Sequence, residues 1–215
     1  MSYHFSKTKR FILFLIGQIV VGFGIAFTTH PGLGTSPLTS FSYVTTFKIP
    51  WTFGTANIVI GFAFVLAQYI ILKSRFGWKH IAQIPILFLF GILVDVCMWL
   101  TKSYIPEAYF LRVTEVVLGC ILLAVGVGFQ LIANIALMPA DGLIRVMSEE
   151  YRISYGILKI CFDSTNVILA ILFSLFCFHN ITGVREGTLI SAFLVGFFIR
   201  LRQNTMRKVK FLLLK

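Results

Sequence analysis

Charge is scarce in this chain. Asp, Glu, Lys and Arg make up 13% of its 215 residues, roughly half the share of a water-soluble domain. Acidic residues are the rarer sign, eight against 19 basic ones. Cysteine is sparse and scattered. Cys97, Cys120, Cys161 and Cys177 stand singly in apolar stretches with no C-x-x-C spacing, which excludes a disulfide scaffold and argues against a zinc site or a redox pair. No H-E-x-x-H, no G-x-S-x-G and no phosphate-binding glycine loop occurs, so the common hydrolytic and nucleotide-dependent chemistries are not indicated. The four histidines include no pair that shares a helix face with a carboxylate. The expectation is a protein that is not an enzyme and holds neither a metal nor an organic cofactor.

Apolar residues are abundant: 58% of the chain is hydrophobic and its mean hydropathy is +0.90. A soluble domain of this size has too much surface to hide that much apolar area, and a chain rich in Phe, Ile and Leu is not disordered. The fold class that remains is an all-α polytopic membrane protein. Six stretches approach the ~20 apolar residues that a bilayer-crossing helix needs: residues 11–29, 55–72, 81–100, 113–137, 155–178 and 187–201. The first is longer than the core of a signal peptide and no small-x-small cleavage site follows it, so it reads as a retained span.

The basic residues orient these spans. Lys7, Lys9 and Arg10 precede the first, Lys73, Arg75 and Lys79 join the second to the third, and Arg145 and Arg152 join the fourth to the fifth. A further cluster runs from Arg200 to Lys215. The opposite side has Lys48, Lys102, Arg112 and Arg185 alone. The positive-inside rule then puts both termini in the cytoplasm. The basic tail reads as an orientation signal attracted to anionic lipid, not as a nucleic-acid-binding segment.

The halves resemble each other at an offset of about 104 residues. Gly22-Phe-Gly24 recurs as Gly126-Val-Gly128, Phe53-Gly54 as Tyr155-Gly156, and Phe88-Leu-Phe-Gly91 as Phe193-Leu-Val-Gly196. Three spans per half is odd, so the second half enters the membrane from the other side. The expected organisation is a cytoplasmic tail 1–10, a three-helix repeat 11–101, an inverted repeat 113–205 and a basic tail 206–215. Inverted repeats of this kind are a recurrent transporter architecture.

Each half also carries an interrupted stretch between its first two spans. Gly32 and Gly34 permit unusual backbone angles, and Ser36-Pro37 reads as the cap and first residue of a short helix to about Phe47. Pro139 and Asp141-Gly142 open a similar helix toward Tyr151. Such segments are either re-entrant and line a wet cavity, or lie flat on each membrane face. On the first reading Gly34, Thr35, Ser36, Asp141 and Gly142 are candidate substrate-binding residues, because helix N-termini offer free N–H groups.

Asp95 and Asp163 lie within spans, where a carboxylate should face protein or water. Asp163 follows Lys159 by four residues, on one helix face. An intrahelical ion pair and a coupling or gating role are both open for Lys159 and Asp163. Asp95 has no local partner, and either bonds to a neighbouring helix or titrates as a coupling or gating carboxylate. His30, at the end of the first span, reads as solvated.

Several of these blocks carry a resemblance. Gly32-Leu-Gly-Thr-Ser-Pro37 resembles the first signature of the YczE/YitT-like family of bacterial integral membrane proteins. Phe90-Gly-Ile-Leu-Val-Asp95, Met138-Pro-Ala-Asp-Gly-Leu-Ile-Arg145, Lys159-Ile-Cys-Phe-Asp163 and Gly183-Val-Arg-Glu-Gly-Thr188 are similar to its other blocks. Where many relatives carry Trp-Asp, Thr35-Ser-Pro37 stands here. The resemblance implies a bacterial plasma-membrane protein of transporter-like build. It brings no catalytic residues. The expected function is a small secondary transporter or permease for an unidentified small solute, embedded in a lipid bilayer and plausibly a homodimer, since 215 residues make a small bundle. The competing expectation is a membrane regulator that transports nothing and meets a partner through the 142–151 helix.

Overall fold

The structure is a computed structural model and describes residues 7–103, 106–135, 137–195 and 197. All regular structure among these residues is helical. Five long helices are apolar enough to cross a membrane: α1 Lys7–Thr29, α3 Phe53–Leu72 with the 3-10 turn Lys73–Arg75, α5 Gln83–Thr101 with the short α4 Trp78–Ile81 before it, α6 Tyr109–Ala133 and α8 Tyr155–Phe178. Two short helices interrupt them, α2 Ser40–Thr46 and α7 Pro139–Tyr151. A last apolar helix, α9, is described over Glu186–Val195. The remainder of the expected sixth span and the basic tail lie outside the described residues, as does the counterpart glycine Gly196.

α1 and α6 form the axis. They run antiparallel and touch through small residues. A Cβ on Gly17 would come within 3.0 Å of the Gly126 carbonyl oxygen, and one on Gly24 within 3.0 Å of that of Gly119. Close backbone approach of this kind is how helices associate in lipid, where burying apolar surface gains little. At one end Arg10 Nε donates to the Ala133 carbonyl at 2.7 Å, and its Nη2 donates to that of Asn134. These are the free carbonyls of the α6 C-terminus, which a cation stabilises. Asn134 caps α6 in the left-handed conformation, φ 47°, so the helix ends at Ala133 and not at residue 137, the point reached by apolar content alone. The end holding Arg10 is hereafter the inner end, and that holding Thr101 the outer end.

α5 packs beside both α1 and α3. α3 and α8 stand further out, and both short helices pack against both of them. α2 lies at the outer end, with Tyr43 against Phe53 (5.6 Å between centroids) and Phe41 against Phe173 (6.0 Å). α7 lies at the inner end, where its first residues meet Gln68 and Tyr155. Between them α3 and α8 touch through Phe64 and Phe162, 5.0 Å apart in a T-shaped pair. Tyr43 and Met138, one from each interrupted stretch, pack on the same core of Val21, Ile25, Phe53, Phe90, Val94 and Leu123. Both stretches thus reach the bundle interior.

Local chemistry shifts two expected boundaries. The first short helix opens as a 3-10 turn over Pro37–Thr39, and the Ser36 hydroxyl bonds Thr39 Oγ1 at 2.8 Å in place of capping the backbone. α3 starts at Phe53, because Thr52 accepts from the Thr55 N–H as a true N-cap.

Candidate functional site

The inner end gathers the charged candidates. Asp141 sits in the first turn of α7, where the helix dipole favours an anion. Lys159 and Asp163 are one turn apart on α8. Lys159 Nζ lies 3.5 Å from Asp141 Oδ1 and 3.3 Å from Asp163 Oδ1, so one ammonium bridges two carboxylates. The Tyr155 hydroxyl donates to Asp141 at 3.0 Å. All three charged side chains are about 30% exposed. The cluster carries a net single negative charge and ties the start of α7 to the start of α8.

Beside it α7 is held by amides. Gln68 and Gln83 exchange two hydrogen bonds of 3.0 Å, and Gln68 Nε2 also donates to the Pro139 carbonyl at 3.0 Å. Both glutamines are buried. Gly142 lies on this pair: a Cβ there would come within 2.9 Å of Gln83 Nε2. Gln18, fully buried, accepts from Gln130 at 3.2 Å and donates to the Met138 sulfur at 3.5 Å.

The outer stretch is closed differently. Gly34 has φ +110°, and a Cβ would fall 2.3 Å from Thr188 Oγ1. The Thr35 N–H donates to Thr188 Oγ1 at 3.3 Å, Ser191 donates to the Thr35 carbonyl at 3.3 Å, and the Gly187 N–H donates to the Leu33 carbonyl at 2.8 Å. Thr35 is fully buried, with its hydroxyl between those of Thr29 and Thr39 at 3.0 and 3.2 Å. The hydroxyls of Thr35 and Ser36 are therefore engaged within the stretch and by Thr29, while the backbone of Leu33 and Thr35 holds the stretch onto α9. These outer residues and Asp141–Gly142 sit at opposite ends of the bundle.

Asp95 belongs to neither cluster. Its Oδ1 accepts from the Gly54 N–H at 2.7 Å and its Oδ2 from the Thr52 hydroxyl at 2.6 Å. It joins α5 to the positive N-terminus of α3. Gly54 is what lets it approach, since a Cβ there would lie 2.0 Å from the Gly91 carbonyl oxygen and 2.6 Å from the Asp95 carboxyl. His30 is half-buried, not solvated: its Nε2 lies 2.8 Å from Thr101 Oγ1 and 3.2 Å from the Met98 carbonyl oxygen. Burial moves its pKa below the ordinary 6.5, against the Met98 bond, which raises it. Among the described residues no cluster of His, Cys, Asp and Glu is arranged to hold a metal ion.

Residues 8–204 match DUF6198, described as a family of unknown function. The chain belongs to this family. Similar proteins in Bacillus subtilis (strain 168) are the uncharacterized membrane protein YczE, 24% identical over 192 residues (89% of this chain and 84% of YczE), and the uncharacterized protein YyaS, 23% identical over 191 residues (88% and 90%). An uncharacterized protein of Haemophilus influenzae is 22% identical over 204 residues, 94% of this chain and 86% of its own length. No solved structure matches. A YczE-like affiliation accords with the blocks at Gly32–Pro37 and Met138–Arg145, and with the apolar helices it makes this DUF6198 chain an integral membrane protein.

Three residues that the fold brings forward carry little local signal. Tyr155 stands in the sequence as an aromatic before a glycine, and Gln83 as a polar residue near a span end. Glu115 is one of eight acids. It is 4% exposed, on α6. Its sole signal is its spacing of four from Gly119, on the seam that faces α1.

Proposed function

We propose that the protein is a small secondary transporter or permease, built from two inverted three-helix repeats that rock against each other. One observation carries this reading: the short helices enter between α3 and α8 from opposite ends, and each interrupted stretch rests on the first turn of the other half's third helix. Gly142 rests on Gln83 at the start of α5, and Gly34 rests on Thr188 at the start of α9. The antiparallel α1–α6 seam, which matches Gly17 to Gly126 and Gly24 to Gly119, is what an exchange of two inverted halves requires. Irregular backbone seated inside a bundle at corresponding places of two halves is the mark of a transporter site.

In this reading the solute passes between α3 and α8, Phe64 and Phe162 close the middle, and the Thr35–Thr188 and Gln68–Pro139 bonds are the outer and inner closures. Asp141, Lys159 and Asp163 present charge to the solute or coupling ion. Six spans with cytoplasmic termini in a bacterial plasma membrane fit the distribution of Lys and Arg, a second copy would enlarge the bundle, and no covalent chemistry is required. The regulator reading keeps one observation of its own. α7 exposes charged residues at the inner end, where Arg145 pairs with Glu149 at 2.9 Å and Arg75 with Glu150 at 2.8 Å.

The test is a thermal-shift screen of purified protein against metabolites and ions, followed by flux in proteoliposomes. A ligand of the native state raises stability by mass action. The expected result is a stabilising solute whose flux is abolished in Asp141→Asn or Lys159→Met protein that still folds. Silence across a broad library, with Glu149 or Arg152 substitutions breaking the cellular phenotype, favours the regulator.

A further inference from the structure

Glu115 is a buried ionisable group that neither reading employs. It lies six residues into α6, roughly 9 Å from the helix start at 1.5 Å per residue. It is 4% exposed, and among the described residues neither carboxyl oxygen has a hydrogen-bond partner. Buried carboxylates are ordinarily met by a cation or by several N–H groups, because a bare charge is poorly tolerated away from water.

Among the described residues the surroundings offer neither. One turn along α6, Gly119 meets Thr28 and the Gly24 carbonyl, so the Glu115 seam faces the C-terminal end of α1. That end of a helix is negative. The hydroxyls of Thr28 and Thr29 already donate to the Ile25 carbonyl. The charged groups on the elements around it that could turn toward it are engaged elsewhere. His30 after α1 bonds Thr101, Arg112 on α6 donates to the Pro106 carbonyl at 2.9 Å, and Arg185 pairs with Glu186 before α9. The neighbouring Val116 packs with Leu33, whose carbonyl is bonded to Gly187. The outer stretch therefore lies against the same turn of α6.

We propose that Glu115 is a cation-binding site near the outer end of the bundle, occupied by a proton or an alkali-metal ion that enters when Leu33 and Thr35 lift from Gly187 and Thr188. The proposal goes beyond transport, because it requires binding alone. A monovalent cation matches the single charge of one carboxylate with no second acid beside it among the described residues, and an organic cation is too large for a buried turn of helix. Coverage by the outer stretch makes occupancy respond to the same bonds that close the outer end.

The test uses the full chain in nanodiscs and dicyclohexylcarbodiimide, an apolar reagent that modifies carboxyls carrying a proton in apolar surroundings; peptide mass spectrometry locates the product. Labelling is expected at Glu115 and not at the water-facing Glu149 and Glu150. If the occupant is a proton, labelling falls severalfold as the pH is raised at constant salt and is the same in sodium and choline buffers. If it is a metal ion, sodium or lithium protects Glu115 at fixed pH and choline does not. Gly34→Ala, which crowds Thr188, should raise the labelling rate. Absence of label at Glu115 in sodium-free, mildly acidic buffer overturns the proposal, and so does label that responds to neither pH nor cation. Wild-type protein decides the matter even if a variant fails to fold. A failure of solute flux leaves this readout unchanged, so the two proposals stand or fall separately.

Discussion

Replacing Gly54 with alanine should damage this fold more than its one added methyl suggests. The new Cβ would sit 2.0 Å from the Gly91 carbonyl oxygen and 2.6 Å from the Asp95 carboxyl carbon. The Gly91 carbonyl is backbone and cannot swing aside, and the Asp95 carboxyl is held in place by Thr52 and the Gly54 N–H, so α3 and α5 must part. Overpacking of a close-packed site costs about 1–3 kcal/mol, and rigid backbone places this one at the upper end. Parting the helices also stretches the 2.7 Å bond from the Gly54 N–H to Asp95, and hydrogen bonds to a charged group contribute about 1.5–3 kcal/mol. The gain in helix propensity on going from Gly to Ala returns at most about 1 kcal/mol. The net loss is about 3–5 kcal/mol, a fall in Tm on the order of 10 °C for a chain of this size. The assay is thermal unfolding in detergent, with Gly77→Ala as the control, because a Cβ at Gly77 meets nothing within 4 Å. Equal melting of the two variants would refute the α3–α5 crossing at Gly54 and, with it, the placement of Asp95 on the α3 N-terminus.

The charge cluster makes a directional prediction. Lys159→Met should destabilise the protein by about 3 kcal/mol or more, since it leaves Asp141 and Asp163 facing each other unneutralised, whereas Asp141→Asn should cost less; thermal melts of both variants, with Lys159→Met partly rescued by Asp163→Asn, check this. His30 gives a pH dependence. Its folded pKa lies below the unfolded 6.5, so the unfolded chain binds the proton first, and the His30 contribution is present above pH 6.5 and lost as pH falls below it. Melts across that range should show the loss in wild type and not in His30→Gln. At the outer end Gly34→Ala, strained at φ +110° and 2.3 Å from Thr188 Oγ1, should lower the melting temperature, and Thr188→Ala should recover part of it in a double-mutant cycle.

What the sequence makes legible here follows the range of the interactions. Five spans are visible because run length and bilayer thickness are matched directly, and the Lys159–Asp163 pair because helical spacing alone brings four-apart residues together. Asp141 is 18 residues from Lys159, and its meeting with that lysine depends on where α7 docks, which no local period encodes. The Gln68–Gln83 exchange is hidden for a related reason: a glutamine within a span bonds across helices in most bundles, and only the fold selects its partner. Thr35 and Ser36 stand in a glycine-broken stretch, a true local signal, yet the fold turns their hydroxyls onto Thr29, Thr39 and each other's turn. The burial of Glu115 has no local signal, because a carboxylate so near a helix start ordinarily reaches water, and here the stretch around Leu33 covers that turn of α6.

The α1–α6 seam has a consequence for how the protein is made. Gln18 finds its amide partner in Gln130, 112 residues later in the chain, and Arg10 waits still longer for Ala133. At synthesis rates of about 5–20 residues per second, the first helix spends on the order of ten seconds in the bilayer with a lone glutamine and an unmatched row of glycines. During that interval it is the segment most open to capture by a foreign helix or by an insertion factor, and the arrival of α6 is the event that commits the chain to its own topology.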